Sequence, residues 1–406
     1  MKISLKYSII VIIVLCLSAC QSTQLYQSNS AENLRMQVNE DNQFKGFKLI
    51  PIETENDIFA LSAEMKLIAK NISLLRDPHT KATQLIKQFF SPENINLAYK
   101  SGANVIAAQA FRNKEANCLS LTIMAYAIAK EAKLNVAFQS IDVPEYWVRN
   151  GEASMLTGHI NLSVLQPKSP NTLLYFDRKN IEIDFDPYVK KKVFPKHQIN
   201  KNTVVSMFYN NKGATALING HYLLAYAYLK QAITIDPKFS SAWGNLGILY
   251  RLNGLEESAM ATYRHAIYLN SNNLTAMENL SKLLHNNGAY EEAKLIDIHI
   301  MRKRAVNPYY YALLGDEKFH KGYYQQAINH YKKAIRLNST IHEFYFGLAK
   351  VHYMLDDKVK AQMYIKKAIA KNKVPQLDKQ CLVKLNILKG LLRIKKSVIM
   401  FIVNIN

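Results

Sequence analysis

A 34-residue period over the C-terminal half constrains this chain more than any other feature. Tyr209-Asn210-Asn211-Lys212-Gly213 aligns at that spacing with Trp243-Gly244-Asn245-Leu246-Gly247. Later landmarks keep step, with Ala225, Leu229, Ala232 and Pro237 in one copy and Ala259, Tyr263 and Ala266 in the next. Tyr311, Leu314, Gly315, Ala327, Tyr331 and Ala334 form a copy at twice the period. Tyr345, Leu348, Ala361, Ile365 and Ala368 form another, and Leu280, Leu284 and Ala293 mark a degenerate copy between them. Small residues at the Gly and Ala positions let paired helices approach closely, and large ones plug the gap. A unit of this size buries its apolar face only against its neighbours, so such a run folds as a stack. About five units are expected over residues 204–375.

These landmarks resemble the tetratricopeptide repeat, a helix-turn-helix unit. The resemblance implies an all-α solenoid that binds a protein or peptide partner. Tyr209, Trp243, Tyr311 and Tyr345 fall on core landmarks, so they speak for packing and not for a ligand groove. Beyond the repeats, Leu382, Leu385, Leu388, Leu391 and Leu392 are spaced for a capping helix within 376–406. The apolar stretch 398–403 is too short to span a bilayer; it packs on the last repeat or touches lipid.

The other end carries an address. Lys2 and Lys6 precede an apolar run over 9–17 that closes in Leu17-Ser18-Ala19-Cys20, the pattern of a secretory signal. Those last four residues resemble the bacterial lipoprotein cleavage box. The resemblance implies removal of residues 1–19, lipidation of Cys20 and, with neutral Gln21 behind it, the periplasmic face of the outer membrane. The alternative is an ordinary signal in which Cys20 is incidental. More than one acyl chain on a single residue meets the requirement for stable anchoring. Residues 20–45, rich in Gln, Ser and Asn, read as a tether.

The formal net charge is +21, and loss of Lys2 and Lys6 lowers it by two. The basic residues concentrate in 190–201 and 379–396 without an aromatic-interleaved stripe or a nucleic-acid motif. They suit a solvated surface, or attraction to anionic headgroups or acidic cell-surface polymers. With Cys16 in the signal and Cys20 lipidated, Cys118 and Cys381 remain as free thiols. No Cys/His cluster has metal-ligand spacing, so neither metal nor cofactor is expected.

Residues 46–203 alternate in character. Ile58, Leu61, Met65 and Ile68 mark a helix face, Asp77-Pro78 a break, and 82–90 another helix. Ser91-Pro92-Glu93-Asn94 reads as a further helix start. From Cys118, the stripe Leu121, Met124, Ala125, Ile128, Ala129 and Ala132 predicts a helix to about residue 133. Strand-like periods follow at 136–141, 159–165, 172–177 and 181–185, with a turn signal at 167–171. Helices followed by an antiparallel meander make an α+β domain.

Cys118 opens its helix, where unpaired N–H groups and the positive dipole end favour a thiolate. A nucleophilic thiol needs an imidazole, and the imidazole an orienting group. His79 lies in a Pro-His-Thr break, which leaves His159, at the start of its strand, as the base. If the following turn is centred near Lys168, Asp177 lies opposite His159 and is favoured. Asp184 and Asp186 are rivals if the His159 strand pairs with the next one.

Arg112 to Ser120 together with Gly158-His159-Ile160-Asn161 resembles the transglutaminase-like fold, related to papain-type cysteine proteases. The whole chain resembles bacterial lipoproteins that join such a domain to tetratricopeptide repeats. The resemblance implies that Cys118, His159 and an Asp form a triad for acyl transfer. Water as acceptor would make a hydrolase and an amine a crosslinking transferase. Glu115-Ala116 and Leu119 depart from the small and aromatic residues that often flank the family's cysteine. Trp147 either walls the cleft or is an ordinary core or surface aromatic. The competing reading is a non-catalytic scaffold with a degenerate head.

Overall fold

The structure, a computed structural model, describes residues 38–371 apart from 92–93, 96, 101, 151–152, 166–179 and 186–193. The signal, Cys20, the capping helix expected over 376–406 and the strand expected at 172–177 lie outside the described residues. Contacts gather the described chain into two units, one of residues 38–53 with 205–300, the other of 54–204 with 301–371. This grouping differs from the expected boundary at 203/204. Residues 46–53 group with the first repeats, and residues from 301 onward group with the α+β part.

The α+β part begins with three helices, α1 (Glu55–Phe59), α2 (Ala63–Ser73) and α3 (Pro78–Phe90). Each starts where a side chain satisfies an orphan N–H. Thr54 and Asp57 form a reciprocal capping box, Ser62 accepts from the Met65 N–H, and Asp77 accepts from the Thr80 N–H ahead of Pro78. The single helix face expected through Ile58 and Met65 is therefore two helices, broken where Ser62 caps the second. Ser91, expected to start a helix, ends α3.

A two-residue strand, β1 (Ala98–Tyr99), pairs in parallel with β2 (Glu115–Ala116) around α4 (Ala107–Asn113). Next comes α5 (Cys118–Glu131), buried almost all round. The sheet that follows contains β3 (Val136–Asn150), β4 (Ala153–Val164), β5 (Ile181–Ile183) and β6 (Lys196–Ile199), all antiparallel in the order β5-β4-β3-β6. Both central strands exceed their expected lengths. They extend past a register shift between Ile141 and Tyr146, across Pro144, into a two-stranded arm.

The repeats are five helix pairs among the described residues. They are α6 (Lys201–Ile218) with α7 (Tyr222–Ile235), α8 (Ser240–Leu252) with α9 (Glu256–Leu269), and α10 (Leu274–Asn286) with α11 (Tyr290–Arg304). Then come α12 (Pro308–His320) with α13 (Tyr324–Leu337), and α14 (His342–Met354) with α15 (Lys358–Lys371). Every turn within a pair has one left-handed residue. Gly220, Gly254, Gly288 and Gly322 supply it at φ 75–78°, and Asp356 supplies it at 57° in the last pair. These positions keep the 34-residue spacing. Tyr209, Trp243 and Tyr345 are buried and Tyr311 half-buried, as packing landmarks should be.

Residues 38–45 depart from the expected tether. They and the segment as far as Glu53 dock on the first two repeats, burying Val38 and Phe44 in the same core as Tyr226 and Tyr250.

In three of the described pairs, helix approach is set by a glycine, at Gly213, Gly247 and Gly315. A Cβ built at Gly247 would meet the ring of Tyr263 at 2.6 Å, and Tyr263 is fully buried. At Gly244, one turn earlier, the nearest atom is 3.5 Å away. Gly247→Ala should therefore lower stability by about 1–3 kcal/mol through overpacking. Gly244→Ala should be neutral, or stabilising by up to about 1 kcal/mol through helix propensity. Urea unfolding of the two variants checks the contrast.

Candidate active site

The start of α5 is stitched to the chain before it. The Asn117 side chain accepts from the Ser120 N–H at 2.9 Å, Ser120 Oγ accepts from the Val105 N–H at 2.9 Å, and the Asn117 N–H donates to the Ala103 carbonyl at 2.9 Å. These bonds hold Cys118 at the first helical position, with its Sγ 3.9 Å from the Gly158 carbonyl oxygen. Cys118 as a whole residue is 7 % exposed, so it is buried.

His159 is 2 % exposed and sits well inside β4, where a strand start was expected. Its Nε2 lies 2.9 Å from Asp184 Oδ2, and Cys118 lies close enough to the ring to influence its charge. Asn161, two residues along the same strand face, donates to that Asp184 oxygen at 3.4 Å. The geometry thus brings Cys118, His159 and Asp184 together. Asp177 and Asp186 lie outside the described residues.

The turn assumption behind Asp177 is corrected. Leu162 faces Ile183 and Val164 faces Ile181, which puts the midpoint of the connection between residues 172 and 173, not at 168. Asp184, just past β5, then continues that register opposite Asn161, diagonal to His159 and within reach of both. Phe185 anchors it from the next position, packed on Phe89 and Phe90 of α3 with ring centroids 5.6 and 5.4 Å apart. Asn161 and the Phe185 anchor had no role in the sequence reading. The alternation His159–Asn161 beside Ile160–Leu162 was the available signal.

Two other candidates go elsewhere. His79 lies in the first turn of α3. Trp147 packs in the two-stranded arm, where the Arg304 guanidinium sits 5.3 Å from both the Trp147 and Tyr310 rings. Arg304 Nε also meets Glu145 at 3.0 Å, and Asn307 donates to the Glu145 carbonyl at 2.8 Å. Among the described residues no group of three or more His, Cys, Asp or Glu could hold a metal ion, and no helix is long and apolar enough to cross a membrane.

Burial opposes charge on the His159 ring, but the hydrogen bond to Asp184 and the nearness of the Asp184 carboxylate and the Cys118 sulfur outweigh it. Together they push the His159 pKa up to about 10. A thiol at a helix start, an imidazole and a buried carboxylate are the parts of a nucleophile–base–orienter chain.

Family models place repeats here on independent grounds. The tetratricopeptide repeat matches residues 208–239 and 228–261, and the TPR repeat matches 315–356. The chain carries tetratricopeptide repeats. No curated protein matches it. Among solved structures, pilF of Pseudomonas aeruginosa is 20 % identical, over 50 % of this chain and 90 % of its own, with a TM-score of 0.28. A MamA protein is 20 % identical over 41 % and 91 %, at 0.24. MamA from Desulfovibrio magneticus is 18 % identical over 42 % and 96 %, also at 0.24. At such scores the likeness bears on neither partner nor activity.

The raised His159 pKa has a stability consequence. A group whose pKa is higher folded than unfolded contributes stability fully below its unfolded pKa, about 6.5, and loses it as pH rises through the folded value. Wild type should exceed His159→Gln most at pH 6, and the gap should close progressively towards pH 10. Urea midpoints of the two proteins across that range measure it.

Proposed function

We propose that this chain is a protein-binding scaffold built on tetratricopeptide repeats, held at a membrane through lipid on Cys20 at the periplasmic face of the outer membrane. The observation that carries the binding role is the array of helix pairs. It repeats 34-residue units, several of them packed through glycine against a buried Tyr or Leu side chain. Repeat stacks of this kind build extended recognition surfaces for other polypeptides.

A second activity is favoured by one specific contact, His159 Nε2 to Asp184 at 2.9 Å, with Cys118 Sγ 3.9 Å from the carbonyl of the preceding residue, Gly158. It supports a transglutaminase-like acyl-transfer centre. Cys118 sulfur attacks a carboxamide or peptide carbonyl, and N–H groups at the start of α5 receive the developing oxyanion. His159 gives its proton to the departing amine, leaving a thioester on Cys118. Water or a second amine, deprotonated by His159, then attacks the thioester and releases the thiolate. Asp184 holds the ring in place throughout.

Alkylation of Cys118 by iodoacetamide between pH 5 and 8 tests the centre. Wild type should react appreciably at pH 6, His159→Ala at least ten-fold more slowly, and Asp184→Asn between the two. A rate that follows an ordinary thiol of pKa about 8.5 and ignores His159 would leave the scaffold role alone. For that role, a photo-crosslinker placed at Tyr268 or Tyr290, both more than half exposed, should trap one defined polypeptide in wild type and Cys118→Ser alike. Trapping only from Leu74, outside the repeats, would count against it.

A further inference from the structure

The docked segment 38–53 makes side-chain bonds along the first two repeats like those of a bound peptide. Tyr250 Oη donates to the Val38 carbonyl at 2.6 Å, and Lys230 Nζ donates to Asn39 at 2.8 Å. Ser258 Oγ donates to Glu40, and Tyr226 Oη donates to Asp41 at 2.6 Å, with Lys230 3.1 Å from the same carboxylate. Phe44 then stacks on Tyr226, ring centroids 4.3 Å apart and planes 12° from parallel, while Phe47 meets the same ring edge-on. Farther along, Glu53 accepts from Tyr209 through its carbonyl and from Tyr228 through its carboxylate, and pairs with Lys212 at 2.8 Å.

The repeat does not require these side chains. One period on from Lys212, Tyr226, Tyr228 and Lys230 stand Leu246, Met260, Thr262 and Arg264, so most of this tyrosine–lysine chemistry belongs to the first unit alone. The first unit also has Ala216 where the second has Tyr250. The segment pairs with no strand and contributes only a few short turns of its own, so its attachment is almost wholly a matter of side chains. A ring and two acids seated on tyrosines and lysines match how short acidic peptides are held, with charge complementarity and a buried aromatic anchor.

Building on the protein-binding reading, we infer that the face formed by Tyr226, Lys230, Tyr250 and Ser258 is a recognition surface for acidic segments with an aromatic residue three positions after a carboxylate. Residues 38–53 are its built-in occupant. A partner polypeptide of the same chemistry exchanges with that occupant, and Asp41 and Phe44 are the positions it copies.

A fluorescent peptide of residues 38–53 titrated against the full chain tests this by anisotropy. It should bind the Asp41→Asn/Phe44→Ala chain at least ten-fold tighter than wild type, and Lys230→Glu added to that chain should abolish the gain. Tyr226→Phe, which keeps the stacking ring and drops the hydroxyl, should show a smaller gain in an otherwise native fold. Raising salt from 50 to 500 mM should weaken binding, because the contact is partly ionic. Absence of binding to every variant, with circular dichroism unchanged, makes the segment a fixed part of the fold and overturns the proposal. Equal binding to wild type and variant overturns it too. Crosslinking from Tyr268 and Tyr290 uses neither the peptide nor these residues. A partner trapped there without peptide exchange defeats only this inference, and failure of both defeats the binding role as well.

Discussion

The repeat architecture depends on aromatic or branched side chains resting on glycine backbone. Tyr263 faces Gly247, Tyr331 faces Gly315 and Gly347, and Leu229 faces Gly213, each at a distance a Cβ would not tolerate. Two helices can then pack with a ring filling the space between them, at the density of a protein interior. The left-handed residue at the end of the first helix of each pair turns the chain back at a fixed point. Serine adds a further tie: Ser206 and Ser240 donate to the carbonyls of Ala232 and Ala266 at 2.9 and 2.7 Å, one period apart.

The candidate centre depends on two independent placements meeting. One is the capped start of α5, where Asn117 and Ser120 fix the helix end and so the thiol. The other is the register of β4 against β5, which puts Asp184 beside His159 once Phe185 is seated on α3. A one-residue slip in that register would turn His159 to the opposite face of the sheet and separate all three groups.

How much of this was legible follows from the range of each interaction. Repeats could be read because each landmark recurs and its partner lies within one period. Even so, the left-handed positions 220, 254, 288, 322 and 356 carry the same period and were passed over in favour of the aromatic ones. Cys118 was legible because a helix start is a local signal, and His159 once His79 was set aside. The orienting acid was not, since choosing among Asp177, Asp184 and Asp186 needs the register across a connection of uncertain midpoint. The docked segment was hidden by composition. Asn39, Glu40 and Asp41 look like tether residues, and only their distant partners Lys230, Ser258 and Tyr226 make them structural.

The pairing of His159 with Asp184 has one further implication. A buried ion pair recovers little more than its desolvation cost, and apolar residues of similar volume often hold a core as well or better. Neighbouring Ile160 and Leu162 show that this strand readily carries such residues, and both are buried. Yet the face towards Cys118 carries His159, Asn161 and Ser163, all buried. Stability alone gives no reason to place a histidine, its carboxylate and a capped thiol side by side. That polar face is the feature on which the acyl-transfer proposal rests, and packing alone does not call for it.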